Sequence, residues 1–230
     1  MTVPQDFFDD CAFVSVDFQG DAPKPGTRGE RMTKEKMMKD CLRDGMSPDD
    51  INAGDDFKVD VAYPNALKVA DACRQLGLPM IFIHWGYAFK DGMDLDPVIY
   101  DHFMDEFGPD TSKWPHHMDA SDSCPMHQYG VGEDEYVLAK TAQDSFPSSN
   151  IDYVLRNLKI RHIVFVGGHT GACLGKTVLS ARQRGYKALI IEDATNDAFE
   201  STRIPHIKTF GYDYLVKTQE FLSLAESKKT

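Results

Sequence analysis

Three polar residues stand where apolar runs end. Asp17 follows the run Phe13-Val14-Ser15-Val16, Lys140 closes YVLAK, and Cys173 lies just beyond HIVFVGG. A carboxylate, an ammonium and a thiol are the parts of a nucleophilic centre. The sulfur attacks, the carboxylate takes and returns its proton, and the cation offsets the repulsion between thiolate and carboxylate. Singly, each residue has a plainer reading: a turn aspartate, a solvated lysine, a small packing cysteine. Their joint position at the ends of strands is what points to chemistry. With Thr170 as the N-cap of the next helix, Cys173 falls at the third helical position. There the helix terminus and a nearby lysine favour the thiolate, and free backbone N–H groups can hold an oxyanion.

The elements that must position these groups follow from periodicity. Strands are expected at Cys11–Phe18, Pro79–Trp85, Tyr136–Lys140, His162–Gly168 and Lys187–Asp193, with Tyr212–Lys217 as a sixth near an edge. Several are almost continuously apolar, as parallel strands covered on both faces are. Helical patterns lie between them at Val69–Leu76, Ile151–Leu158 and Thr170–Arg184, the last stopped by Gly185. The alternation predicts a three-layer α/β/α fold on a doubly wound, mostly parallel sheet of about six strands, which binds ligands beyond the strands' carboxyl ends. Two segments, about 20–60 and 86–135, fit the pattern poorly and read as insertions into one domain spanning 1–230. Both leave a strand at the catalytic edge, so both are expected to cover the site. Within the second, Pro97–Phe107 reads as a short helix.

Composition narrows the function class. The 230 residues carry a net charge of −11, which disfavours nucleic acid and anionic membranes as partners. The N-terminal stretch lacks the basic and apolar regions of a signal peptide, and no apolar run nears the length of about 20 residues that spans a bilayer. Five scattered cysteines (Cys11, Cys41, Cys73, Cys124 and Cys173) without a Cys-x-x-Cys pair argue against a disulfide framework and for a reducing cytoplasm.

VSVDFQGD around Asp17, LAKTAQDSF around Lys140, and above all VFVGGHTGACLGKTVLSARQRGYKALIIEDAT resemble segments of the isochorismatase-like cysteine hydrolases. The resemblance implies Cys173 as nucleophile, Asp17 as base and Lys140 as supporting cation. It also implies a cis Gly168–His169 peptide, with the His169 and Cys173 N–H groups as the oxyanion hole. Metal-binding members of that superfamily carry Asp-x-His after the second strand. The matching FIHWGYAF has His84 and Tyr87 but no such motif, so neither metal nor other cofactor is expected. His116, His117 and His127 are the cluster that a nicotinamidase-type alternative would need. Gln19, His84, Trp85, Tyr87, Trp114, Phe146 and His169 are the candidate substrate-binding residues, and His206 reads as structural.

These readings converge on hydrolysis of a C–N bond in a small carboxamide or ureido compound through a thioester, by a homo-oligomer (dimer or tetramer). Retention of Cys173 disfavours an isochorismatase. A catalytically idle binding protein on the same fold is the non-enzyme alternative, and the intact Asp17, Lys140 and Cys173 set argues against it.

Overall fold

The computed structural model describes residues 3–27, 29–35 and 47–229. Cys41 and residues 36–46 of the first expected insertion lie outside them. Six parallel strands form one sheet: β1 (Cys11–Val16), β2 (Met80–Trp85), β3 (Tyr136–Lys140), β4 (His162–Gly168), β5 (Lys187–Asn196) and β6 (Tyr214–Val216). Their order is β3-β2-β1-β4-β5-β6, and every neighbouring pair is parallel. The chain order reverses direction between β1 and β4. That switch point is where sheets of this kind leave a crevice at the strands' carboxyl ends.

The period of two in each strand divides its side chains between two cores. On one face Phe13, Phe82, Val164, Leu189 and Ile191 pack beneath α2 (Tyr63–Gln75) and α8 (Thr218–Lys228). On the other, Val14, Ile81, Ile83, Phe165 and Ile190 meet α5 (Ile151–Asn157), α6 (Cys173–Gln183) and α7 (Glu200–Phe210). Each fully buried Phe or Ile among them contributes about 1.5–3 kcal/mol relative to exposure. Every residue of β1 is buried, which explains its nearly unbroken apolar sequence. Among the described residues no helix is long and apolar enough to cross a membrane.

The segment 20–60 is not simply an excursion. Its last third is α1 (Pro48–Phe57), which runs through a π-helical turn at Lys58–Ala62 directly into α2. The start signal is present in the sequence: Ser47 precedes Pro48, and Asp49 and Asp50 occupy the first turn. The charge and Gly54 obscure it. That glycine is required by packing, since a Cβ there would lie 2.8 Å from the Ala198 carbonyl oxygen. In the segment 86–135, α3 (Pro97–Phe107) has the expected bounds. It supports a separate apolar cluster of Tyr87, Leu95, Phe103 and Trp114. Bridges between Tyr87 and His117 and between Gln19 and Pro125 tie this segment to the strand ends.

At the switch point, β1 and β4 approach so closely that Val16 pairs with Gly167 with no room for a side chain. Gly167 has φ of 119°, and a Cβ on it would lie 2.0 Å from the Val16 carbonyl oxygen. Gly167→Ala should therefore destabilise by more than about 3 kcal/mol, combining backbone strain with overlap against rigid backbone. Gly77→Ala meets nothing within 4 Å at φ of 70° and should cost only about 1–2 kcal/mol. Urea unfolding of the two variants checks the difference, and equal losses would contradict it.

Candidate active site

Asp17 is the first residue beyond β1 and has a positive φ of 53°, uncommon for a residue with a side chain. The reversal turns its carboxylate along the sheet edge. Lys140 ends β3, two strands away, where it pairs with Trp85 of β2. Strands lie about 4.8 Å apart, so only a long side chain can cross the end of β2. Lys140 does so. Its side chain is fully buried, and Nζ lies 2.8 Å from Asp17 Oδ2 and donates to the Ala142 carbonyl at 3.1 Å. Asp17 Oδ1 is buried with no hydrogen-bond partner.

Cys173 opens α6, with Ala172 before it. This corrects the expectation that Thr170 caps the helix. The Thr170 hydroxyl is instead shared between Asp197 Oδ2 at 2.9 Å and the Arg203 carbonyl at 3.1 Å. The expected acidity of the thiol is also corrected. Burial, reinforced by the Asp17 carboxylate, pushes the Cys173 thiol up to about 12, against an opposing pull from Lys140. The Gly168–His169 peptide is cis. Neither the His169 nor the Cys173 amide is engaged in a hydrogen bond among the described residues.

Asp17 and Cys173 line a pocket of about 490 Å³, with Gln19, Trp85 and His169 among its other walls, and Lys140 lies buried behind Asp17. Both long segments contribute to its walls: Gly20, Asp21 and Lys58 from one, Ile99, His116 and Asp122 from the other. His169 meets solvent yet is ringed by the pocket's walls. That enclosure, with Lys58 adding to it, lowers its pKa. Gln19 lines the pocket with its polar atoms already committed: Nε2 donates to the Trp85 and Asp122 carbonyls at 3.0 and 2.9 Å, and Oε1 accepts from the Trp85 amide at 2.9 Å. It is a staple between β2 and the 86–135 segment. Trp85 Nε1 is a buried donor without a partner.

Four expected substrate contacts are not brought to the pocket. His84 is buried beside Ser123, with Nδ1 3.4 Å from Oγ, and burial lowers its pKa. Tyr87 and Trp114 form the core of the covering segment, the Tyr87 hydroxyl donating to the Trp114 carbonyl at 3.2 Å. Phe146 faces the helix layer, packed on Tyr186 with the Arg184 guanidinium over its ring. The histidines of 116–127 do not converge. His116 pairs with Asp122 at 2.9 Å, His117 faces Asp119 at 3.7 Å and His127 pairs with Asp21 at 2.6 Å. Among the described residues no three metal-ligating side chains gather.

Sequence reasoning missed Asn196 and Asp197. Strand β5 runs three residues beyond its expected end at Asp193, bringing Asn196 to the pocket. Its buried Oδ1 has no partner and lies against Gly168, where a Cβ would come within 1.9 Å of it. Asp197 anchors the turn before Cys173. It accepts from Thr170, Thr202 and the Ala198 amide and pairs with His206. Burial raises its pKa, but the bonds from His206 and Thr170 outweigh that and hold it below the usual carboxylate range. His206, which reads as structural in the sequence, thus meets Asp197 rather than the pocket. The signal available was position: both residues follow a strand's carboxyl end.

Comparisons with known proteins bear on the family and the fold. The isochorismatase domain family matches residues 46–210. The ureidoacrylate amidohydrolase RutB of Agrobacterium fabrum is 26% identical over 151 residues, covering 57% of this chain and 60% of that protein. The one from Variovorax paradoxus is 34% identical over 80 residues, covering 33% and 32%. The chain thus spans less than two thirds of the length of these curated relatives. An isochorismatase family protein from Burkholderia thailandensis superposes with a TM-score of 0.65 at 19% identity, covering 98% of each chain. The N-carbamoylsarcosine amidase of Thermoplasma acidophilum gives 0.59 at 19% identity, covering 91% of this chain and 96% of that one. The first likeness covers well over half of the chain and the last two share its three-layer sheet: this protein belongs to the isochorismatase family.

Proposed function

We propose that the protein is a cysteine-dependent amidohydrolase that cleaves a C–N bond in a small carboxamide or ureido compound. The observation that carries this reading is a thiol and a carboxylate lining one pocket, with a buried ammonium paired to the carboxylate from behind. The names of the relatives, a ureidoacrylate amidohydrolase and an N-carbamoylsarcosine amidase, support an amide or ureido substrate.

The chemistry follows from the charges. A thiol held up to about 12 is protonated at neutral pH, and handing its proton to a carboxylate in a separate step is strongly uphill. Transfer must therefore accompany attack. As Sγ bonds to the substrate carbonyl carbon, its proton passes to Asp17, and the amides of His169 and Cys173 receive the developing oxyanion. Asp17 then protonates the leaving nitrogen, the C–N bond breaks, and ammonia or an amine departs. This leaves a thioester, or a thiocarbamate from a ureido substrate. Water attacks this intermediate, Asp17 takes the water's proton, and Sγ regains it as the acid leaves. Lys140, 2.8 Å from Asp17, keeps the carboxylate in place beside a sulfur that becomes anionic in part. His84, kept neutral by burial, adds no competing cation behind the pair.

Ammonia release over a panel of small amides and ureido acids tests the reading. Cys173→Ala should abolish turnover, and Asp17→Asn should lower kcat by roughly 10²–10⁴. Near-normal activity of Cys173→Ala would remove the covalent mechanism.

The pH dependence of the thiol offers a second check. The thiolate is the form that reacts with haloacetamides, and burial raises the pKa of Cys173. Its alkylation rate, read by mass spectrometry at that residue, should climb about tenfold per pH unit from 7 to 9 with no plateau. A plateau near pH 7 would mean that the resting centre already holds a thiolate.

A further inference from the structure

Three side chains stand in line beside the turn after β1, and Asp21 among them also lines the pocket. Cys124 Sγ lies 3.0 Å from His127 Nε2. The other ring nitrogen, Nδ1, lies 2.6 Å from Asp21 Oδ1. Opposite edges of the imidazole make the two contacts, so the groups do not aim at one point as metal ligands do. They stand in series, as a nucleophile, a base and the group that orients the base. Sγ also lies 3.0 Å from the Ser121 carbonyl oxygen, to which the thiol can donate; the carboxylate at Nδ1 orients the ring so that Nε2 is the base within reach of the sulfur.

The backbone builds this line as much as the side chains do. The Gly20 amide donates to the Cys124 carbonyl at 2.9 Å, and the His127 amide donates to the Gly20 carbonyl at 3.1 Å. Gln19 and Pro125 form a β-bridge beside them. The turn after β1 and the 124–127 stretch are therefore fixed in register, which sets Asp21 opposite His127.

The other described thiols differ. Cys11 and Cys73 are buried in the core, and burial raises both. Cys173 faces a carboxylate and an ammonium, with no imidazole in hydrogen-bond reach. Cys124, like Cys173, is partly open to solvent, and among the described residues it is the thiol in contact with an imidazole. Its surroundings are shallow: His127 is 48% and Asp21 84% exposed. So open a place suits a co-reactant that is small and carries its own leaving group.

We propose that Cys124, with His127 and Asp21, is a second nucleophilic site, at which the thiol is oxidised by hydroperoxides. Sulfur attacks one peroxide oxygen while its proton passes to His127 Nε2. The O–O bond breaks, and the proton moves on to the departing oxygen. The thiol becomes a sulfenic acid, a two-electron oxidation, and the hydroperoxide is reduced to an alcohol or to water: Cys–SH + ROOH → Cys–SOH + ROH. Two equivalents of a small thiol restore it, giving their disulfide and water. The site stands independently of the hydrolytic reading, because it uses none of Asp17, Lys140 and Cys173.

The test uses the whole chain, limiting hydrogen peroxide and dimedone to trap sulfenic acid, with each cysteine's peptide quantified by mass spectrometry. Cys124 should be trapped at least about tenfold faster than Cys173 and faster than cysteine in an unstructured peptide. His127→Gln should lower the Cys124 rate about tenfold while leaving the slow labelling of Cys173 and Cys73 unchanged, which also shows the fold intact. Asp21→Asn, which loosens the ring without removing the base, should lower the Cys124 rate by less than His127→Gln does. A Cys124 rate no greater than the peptide's, or one untouched by His127→Gln, overturns the proposal.

Discussion

The buried contact between Lys140 and Asp17 sets the terms for everything around it. An ammonium with no solvent exposure loses its hydration, and such a pair is tolerable only when the geometry and remaining hydrogen bonds are good. The sheet supplies that geometry. β1 and β3 flank β2, so their carboxyl ends are separated by one strand, a span that a lysine can cross and a shorter cation cannot. Removing one partner would leave the other charged and dry, which in comparable cases costs about 3–5 kcal/mol. The same contact fixes the local electrostatics. The thiol of Cys173 senses a carboxylate and an ammonium pulling on its proton in opposite directions, and burial decides the balance in favour of the thiol.

The nucleophile is held from the opposite side of the crevice by a different kind of interaction. The turn from His169 to Ala172 belongs to neither strand nor helix, so its position has to be imposed. Asp197 imposes it through Thr170, and His206 holds Asp197. Gly168 and Gly171 leave no space for side chains: a Cβ at the first would run into Asn196 and at the second into His206. The ion pair on β1 and β3 and the carboxylate–threonine link after β5 therefore clamp the pocket floor from two directions, both anchored in strand ends.

Most of this was legible in the sequence, for a physical reason. Parallel strands buried on both faces must be apolar almost throughout, so β1, β2 and β4 announce themselves, and a polar residue directly after such a run stands out. Asp17, Lys140 and Cys173 were visible in that way. What escaped was set by contacts distant in sequence. The continuation of β5 through Ala194, Thr195 and Asn196 depends on pairing with the bulged end of β4, which no local pattern encodes. Thr170 looks like a helix cap until its hydroxyl is seen to be taken by Asp197. Tyr87, Trp114 and Phe146 are large, partly polar or aromatic and near the catalytic motifs, which fits a pocket lining as well as it fits a core. Only packing separates the two, and in each case the core claimed the side chain.

The cluster of Tyr87, Leu95, Phe103 and Trp114 has a consequence for how the protein can vary. It is a small core of its own, distinct from the two that flank the sheet, and the Trp114 indole is fastened within it by a bond to the Gly108 carbonyl at 2.8 Å. Elements with their own packing open and close as local units, at a free energy below that of global unfolding. The wall of the pocket thus has packing of its own and meets the sheet at few points, Trp85, the Gln19 bonds and the bridge at Pro125. Substitutions inside this satellite that leave those points alone can reshape the wall, and substrate choice can drift while the thiol, the carboxylate and the ammonium stay as they are.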